Sequence, residues 1–288
     1  MKEEILKQLK KLNSEEKQDL FLKFIISENH NSIEMVELLI QSGADVNAQN
    51  NNRETLLHRV NNPDIAKLLI QHGADVNAKN HFGATPLFEV KSKEMVELLI
   101  QGGADVNTKN KYGETPLFFT YSTENAELLI QGGADVNAQD IYKNTLLFYT
   151  KSKEIAEILI EHGADIHAKN NFGAAPLFFV QSKEVAEVLI RNGADIHAKN
   201  KNENTPLHCN HNQEVIELLI QLGADIHAKN DNGQTPAEWH RHNGYFDLAD
   251  FMEQKAFEKA TKLEQEKLNQ ALPLPQSPKN SNHPKYRL

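Results

Sequence analysis

The chain has 288 residues, 31 Lys and Arg against 40 Asp and Glu for a formal net charge of −9, and 39% hydrophobic residues, with a mean hydropathy of −0.57. No stretch nears the ~18 unbroken apolar residues of a membrane span, so the composition predicts a soluble chain with no membrane partner. The one cysteine, Cys209, allows neither an internal disulfide nor a cysteine-built zinc framework.

Residues 1–20 begin with the charged, amphipathic MKEEILK, which predicts no secretory signal and a cytoplasmic location. They read as an N-terminal capping helix with Ile5, Leu9 and Leu12 on one stripe, and Asn13 or Ser14 caps the helix that follows. Residues 21–253 are organised by a repeat: GADVNA, GADIHA or GADVNT returns seven times at a spacing of 30, making about eight units. Nearly all of the fourteen Gly and ten Pro belong to this frame or to the tail, which leaves none for a GxGxxG or Walker-type phosphate loop.

Numbered from 51, 81, 111 and so on, each column of the unit has one physical task. Ser32, Asn62, Ser92, Ser122, Ser152, Ser182 and Asn212 are helix N-caps, followed two residues later by Glu or Asp in the first turn, where the helix dipole favours negative charge. The set Met95, Val96, Leu98, Leu99 and Ile100, with its equivalents, gives a wide apolar face at helical spacing, and the next Gly ends the helix. A shorter helix precedes it, with Thr85 as cap, Pro86 at the first helical position and Leu87 facing inward. A polar turn-forming segment joins the units. Each unit is thus a helix, a turn, a helix and a protruding loop or β-hairpin, and neither helix can bury its apolar face without a neighbouring unit.

These motifs resemble the ankyrin repeat: TPLF at 85–88 and 115–118, TPLH at 205–208, and LLIQHGADVNA at 68–78, echoed along the array. The resemblance implies an all-α, ankyrin-like solenoid of stacked helix-turn-helix repeats, acting as a non-catalytic protein-protein interaction scaffold. Two departures stand out. The unit has 30 residues rather than roughly 33, and the missing residues fall between the helices; the first and last repeats keep the full length. The His that ankyrin repeats place after Thr-Pro-Leu, where it bonds back to Thr, survives as His58 and His208 and becomes Phe88, Phe118, Phe148 and Phe178.

In ankyrin stacks the loop tips and the exposed side of the first helix form the partner-binding surface. The tip row here reads Asn52, Phe82, Tyr112, Tyr142, Phe172, Asn202, Asn232, and the first-helix row reads Arg59, Glu89, Phe119, Tyr149, Phe179, Cys209, Trp239. The candidate partner-binding residues are therefore Phe82, Tyr112, Phe119, Tyr142, Tyr149, Phe172 and Phe179. Two readings stay open for them: an interface, or aromatics that pack on neighbouring fingers while the shortened helix turns the ninth position inward.

His167, His197 and His227 replace the Asn of the column Asn47, Asn77, Asn107, Asn137. A spacing near that of stacked helices is wrong for one shared metal, so they read as loop hydrogen-bonders. The cluster His208, Cys209, His211, His240 and His242 supports the rival, a metal-binding or catalytic domain, but lacks a paired carboxylate or a nucleophile-base spacing. No catalytic residue, metal ligand or cofactor is assigned. The resemblance also implies Asn47, Asn77 and Asn137 as candidates for asparaginyl hydroxylation.

Residues 254–271 continue as a C-terminal helical extension with a stripe through Ala249, Met252, Ala256, Ala260 and Leu263, and 272–288 read as a disordered Pro-rich tail carrying a PxxP at Pro275 and Pro278. Residues 254–288 hold seven Lys and Arg against three Glu, which leaves −13 on residues 1–253. That balance disfavours nucleic acid and favours a protein partner with a basic patch. A monomer is expected. Asn-, Lys- and Ile-rich usage points to an AT-rich genome, which keeps a host-directed bacterial effector on the same scaffold as an alternative.

Overall fold

A single well-capped helix sets the form of every unit. The computed structural model describes residues 2–26 and 33–271. In chain order it has α1 (Lys2–Lys11), α2 (Ser14–Ile26), α3 (Ile33–Gln41), α4 (Leu56–Arg59), α5 (Pro63–Gln71), the 3-10 turn η1 (Pro86–Phe88), α6 (Lys93–Gln101), η2 (Pro116–Phe119), α7 (Thr123–Gln131), η3 (Leu146–Phe148), α8 (Lys153–Glu161), η4 (Pro176–Phe178), α9 (Lys183–Arg191), α10 (Pro206–Cys209), α11 (Gln213–Gln221), α12 (Pro236–His242) and α13 (Phe246–Ala271). The described residues contain no strand.

The six described second-helix caps form as expected: Asn62, Ser92, Ser122, Ser152, Ser182 and Asn212 each accept backbone N–H bonds at a helix start. Ser32 lies outside the described residues. Each helix then ends in a Schellman arrangement. At α6 the Ala104 N–H donates to Leu99 O at 2.9 Å and the Gly103 N–H to Ile100 O at 3.0 Å, with Gly103 at φ +90°, a conformation that disfavours any residue with a Cβ.

Seven helices of this kind stack in thirty-residue order, from α3 through α5, α6, α7, α8 and α9 to α11. The column Leu39, Leu69, Leu99, Leu129, Leu159, Leu189, Leu219 forms its spine, every member at most 2% exposed. Burial of this completeness is worth about 1.5–3 kcal/mol for each Leu, and each Leu is covered by the next unit, so stability is shared between neighbours.

The missing residues come out of the first helix, which is a single turn of three or four residues in the six internal units but seven residues in α12 and thirteen in α2. Capping of this turn departs from expectation. Thr55 and Thr205 hold their His partners, and Thr235 forms a capping box with Glu238. Thr85, Thr115 and Thr145 instead leave their hydroxyls buried without a hydrogen-bond partner. The cause is visible in the His units. The Thr205 N–H donates to His208 Nδ1 at 3.1 Å, the hydroxyl lies 3.0 Å from the same atom, and His208 Nε2 meets Gln234 O of the next unit at 3.1 Å. Phe at that position offers the hydroxyl no acceptor, and in the unit with Phe178 the Thr is replaced by Ala175.

At the ends, α1 packs on α3 through buried Leu9, and Asn13 caps α2 by exchanging bonds of 2.8 Å with Glu16. Helix α13 buries Ala249 and Met252 against the stack. The expected stripe then stops at half-buried Ala256, and Ala260 and Leu263 are exposed. Residues 272–288, with Pro275 and Pro278, lie outside the described residues.

Candidate partner-binding site

The fingers are built by one column whose importance the sequence reading passed over: Asn50, Asn80, Asn110, Asp140, Asn170, Asn200 and Asn230. Each side-chain oxygen accepts the N–H groups two and four residues on, as Asn80 Oδ1 does from Phe82 and Ala84 at 2.8 and 3.1 Å. These Asx turns replace a strand ladder and pin the tip residue outward. Successive tips are joined by single main-chain bonds, Lys111 N–H to Phe82 O at 2.8 Å and Ile141 N–H to Tyr112 O at 2.9 Å. The approach is close enough that a Cβ at Gly113 would stand 2.9 Å from Ile141 N. The position carries φ +77° there but is filled by Arg53, Lys143 and Glu203 in other fingers, all at positive φ.

The candidate tips Phe82, Tyr112, Tyr142 and Phe172 are 51–61% exposed. Of the ninth-position residues, Phe119 and Tyr149 are exposed, Phe179 is half-buried and Cys209 is buried. The ninth position is therefore not turned wholly inward. Each ring rests on the eighth-position Phe of the preceding unit, with centroids 5.5 Å apart for Phe88–Phe119, 6.1 Å for Phe118–Tyr149 and 6.3 Å for Phe148–Phe179. The His-to-Phe replacements thus form a floor beneath the surface aromatics.

Tips and floor enclose two clefts on either side of Tyr112. One, of about 470 Å³, is lined by Phe82, Phe88, Glu89, Tyr112, Glu114 and Phe119 together with Asn80, Ala84 and Asn110. The other, of about 270 Å³, is lined by Tyr112, Glu114, Phe118, Asp140, Ile141, Tyr142 and Tyr149. In the second, Tyr149 Oη donates to Asp140 Oδ2 at 2.6 Å and accepts from Asn144 Nδ2 at 2.6 Å. Burial first, and the bond to Asp140 after it, push the Tyr149 phenol up to about 12, so it stays a neutral, fixed ring. Phe172 and Phe179 line neither cleft. Glu89, Glu114 and Ile141 do, and were not singled out from the sequence; they stand in columns nine, four and one of different units, so only the fold gathers them.

The His and Cys candidates are differently employed. His58, like His208, ties its own turn to the next unit, its Nε2 meeting Ala84 O at 3.2 Å. Burial lowers both His pKa values. Burial likewise drives the Cys209 thiol up to about 12, which disfavours the thiolate a nucleophile or a metal ligand needs. His240 meets Leu207 O through Nε2 at 3.1 Å and is held down to about 4, chiefly by burial. Among the described residues no group of three His, Cys, Asp or Glu is placed to hold a metal ion, and no helix is long and apolar enough to cross a membrane.

The Asn column stitches neighbouring fingers at their bases. Asn77 Nδ2 donates to Gly103 O at 2.9 Å and Asn77 Oδ1 accepts from Asp105 N–H at 2.8 Å; Asn47, Asn107 and Asn137 do the same. The amides proposed for hydroxylation at Asn47, Asn77 and Asn137 are thus in structural use. His167, His197 and His227 keep only the backbone bond to the preceding Asp. Their rings make no hydrogen bond among the described residues, contrary to the expectation of loop hydrogen-bonders, because an imidazole cannot reproduce the amide's paired donor and acceptor.

A stack of capped helix pairs with outward fingers and a shared Leu spine defines an ankyrin-type solenoid. The family model for ankyrin repeats in three copies matches residues 22–90, 87–170 and 173–262, and the chain belongs to the ankyrin-repeat family. Among solved structures it is similar to the ankyrin repeat domain of Bcl-3, described as a unique member of the IkappaB protein family, with 26% identity and a TM-score of 0.57 over 70% of this chain and 97% of that one. Comparison with curated proteins finds no match.

Proposed function

We propose that the chain is a non-catalytic, monomeric scaffold that holds a protein partner against the fingertips and first-turn face of its middle repeats. The observation that carries this reading is the contiguous row of exposed aromatics, Phe82, Tyr112, Phe119, Tyr142 and Tyr149, around two clefts. Solvent-exposed aromatics of this number on rigid turns are what an interface hot spot requires. The floor of Phe88, Phe118 and Phe148 supports a double role, packing beneath and contact above. The likeness to an IkappaB-family ankyrin domain fits a protein-binding task. The charge of −13 on residues 1–253 favours a partner with a basic patch over nucleic acid.

The test is quantitative affinity capture with wild type and with Phe82, Tyr112, Phe119 and Tyr142 changed together to Ala, with circular dichroism to show the helices intact. Loss of at least about tenfold in recovered partner is expected from removing hot-spot aromatics. Undiminished recovery refutes the site.

A further inference from the structure

We infer that the cleft between the fingers at 81–84 and 111–114 receives an arginine side chain of the partner, its guanidinium held between aromatic rings and two carboxylates. This rests on the partner-binding reading and gives it a chemical specificity. Four rings, Phe82, Phe88, Tyr112 and Phe119, line the cleft, and its charged lining residues are Glu89 and Glu114, with no Lys, Arg or His.

Glu114 is aimed by Asn110, whose Nδ2 donates to Glu114 Oε2 at 2.8 Å. The Glu89 backbone N–H donates to Pro86 O at 3.1 Å, while its carboxylate is exposed and takes part in no side-chain hydrogen bond or ion pair among the described residues. On the other side of Glu89 stands a cationic boundary, where Arg59 and Lys91 line the adjoining cleft.

The occupant follows by elimination. An anionic side chain meets two carboxylates. An apolar side chain fills the cleft but strips water from Glu89 and Glu114 and returns no hydrogen bond, a costly exchange. A cation satisfies both carboxylates and is attracted to the ring faces. Between the two cationic side chains, the planar guanidinium stacks on rings, forks to a carboxylate and sheds water more readily than an ammonium. In the neighbouring cleft the Asp140 oxygens already accept from Tyr142 N–H, Asn144 N–H and Tyr149 Oη, so Glu114 alone is available there and the first cleft is the better cation site.

The experiment is selection of a random twelve-residue phage-displayed peptide library on the intact chain, followed by fluorescence anisotropy with the synthetic winners. Winners enriched in arginine are expected. Replacing their Arg by citrulline, which keeps the shape and removes the charge, should weaken binding about tenfold or more, as should the conservative double change Glu89→Gln and Glu114→Gln. Both losses should shrink at high salt. Winners that require Tyr112 and Phe119 but carry no cation, or that ignore the Glu-to-Gln changes, overturn the arginine assignment and leave the binding surface standing. A library that yields nothing dependent on Tyr112 or Phe119 overturns both.

Discussion

Thr85 and Thr205 occupy the same column, are buried to 1% and 6% exposure, and differ in what their hydroxyls meet. Thr205 lies 3.0 Å from His208 Nδ1, whereas the Thr85 hydroxyl has no partner because position 88 is Phe. Substitution by Val keeps the branched shape, and the extended backbone of both sites, φ −94° and −91°, suits it. Leaving a buried hydroxyl unsatisfied costs about 1–3 kcal/mol, and a typical formed bond contributes about 0.5–1.5 kcal/mol. Thr85→Val is therefore expected to stabilise by about 1 kcal/mol and Thr205→Val to destabilise by about the same, a separation of roughly 30-fold in the opening constant. Because a solenoid need not open in one step, the assay is amide hydrogen exchange in each unit, backed by urea melts followed by circular dichroism. Equal destabilisation at both sites would refute the assignment of an orphaned hydroxyl.

At the fingers, Gly113→Ala should cost about 2 kcal/mol or more, since the new Cβ meets the backbone of the next finger at 2.9 Å and φ is positive; Lys143→Gly, at φ 63°, should gain about 0.5–1 kcal/mol, both read from thermal midpoints. His167→Asn is expected to recreate the amide stitch to Gly193 and Asp195 and to stabilise by about 1 kcal/mol or more, visible as slowed exchange of the Asp195 amide. The pH response follows from the buried imidazoles. His58, His208, His211 and His240 have folded pKa values pushed below the ordinary 6.5 by burial, His240 to about 4. The unfolded chain thus takes up protons that the folded chain refuses, so stability is full above about pH 6.5 and drains as pH falls toward 4. Urea midpoints across that range should decline, and less steeply in His240→Gln; a flat profile would contradict neutral buried histidines.

Helix caps, the Leu spine, the shortened first turn and the outward tips were all legible in the sequence, because each rests on a residue type that recurs every thirty positions and has one dominant local use. What escaped notice depends on partners outside the repeat's own span. Thr85 looked like a working cap because the motif is intact; its hydroxyl is stranded only because the residue three positions on has lost its acceptor. Column thirty looked merely turn-forming, yet its Asx turns fix the direction of every tip. Glu89 and Glu114 belong to different columns of different units, and only stacking brings them to one cleft. Ala260 and Leu263 kept the helical stripe, but among the described residues nothing covers them.

The changeover from Asn to His along the finger bases divides the solenoid by how its rim is bonded. Up to the interface made by Asn137, each junction carries two side-chain bonds that fix its pitch; from His167 onward that rim lacks them. Such an array behaves like a spring soldered along one edge for part of its length. The aromatic clefts sit on the soldered stretch, where the amide pairs fix the spacing of the contact points, while the units beyond Phe172 are joined away from that rim, by Asn210 Nδ2 to Val180 O at 2.9 Å and His208 Nε2 to Gln234 O at 3.1 Å.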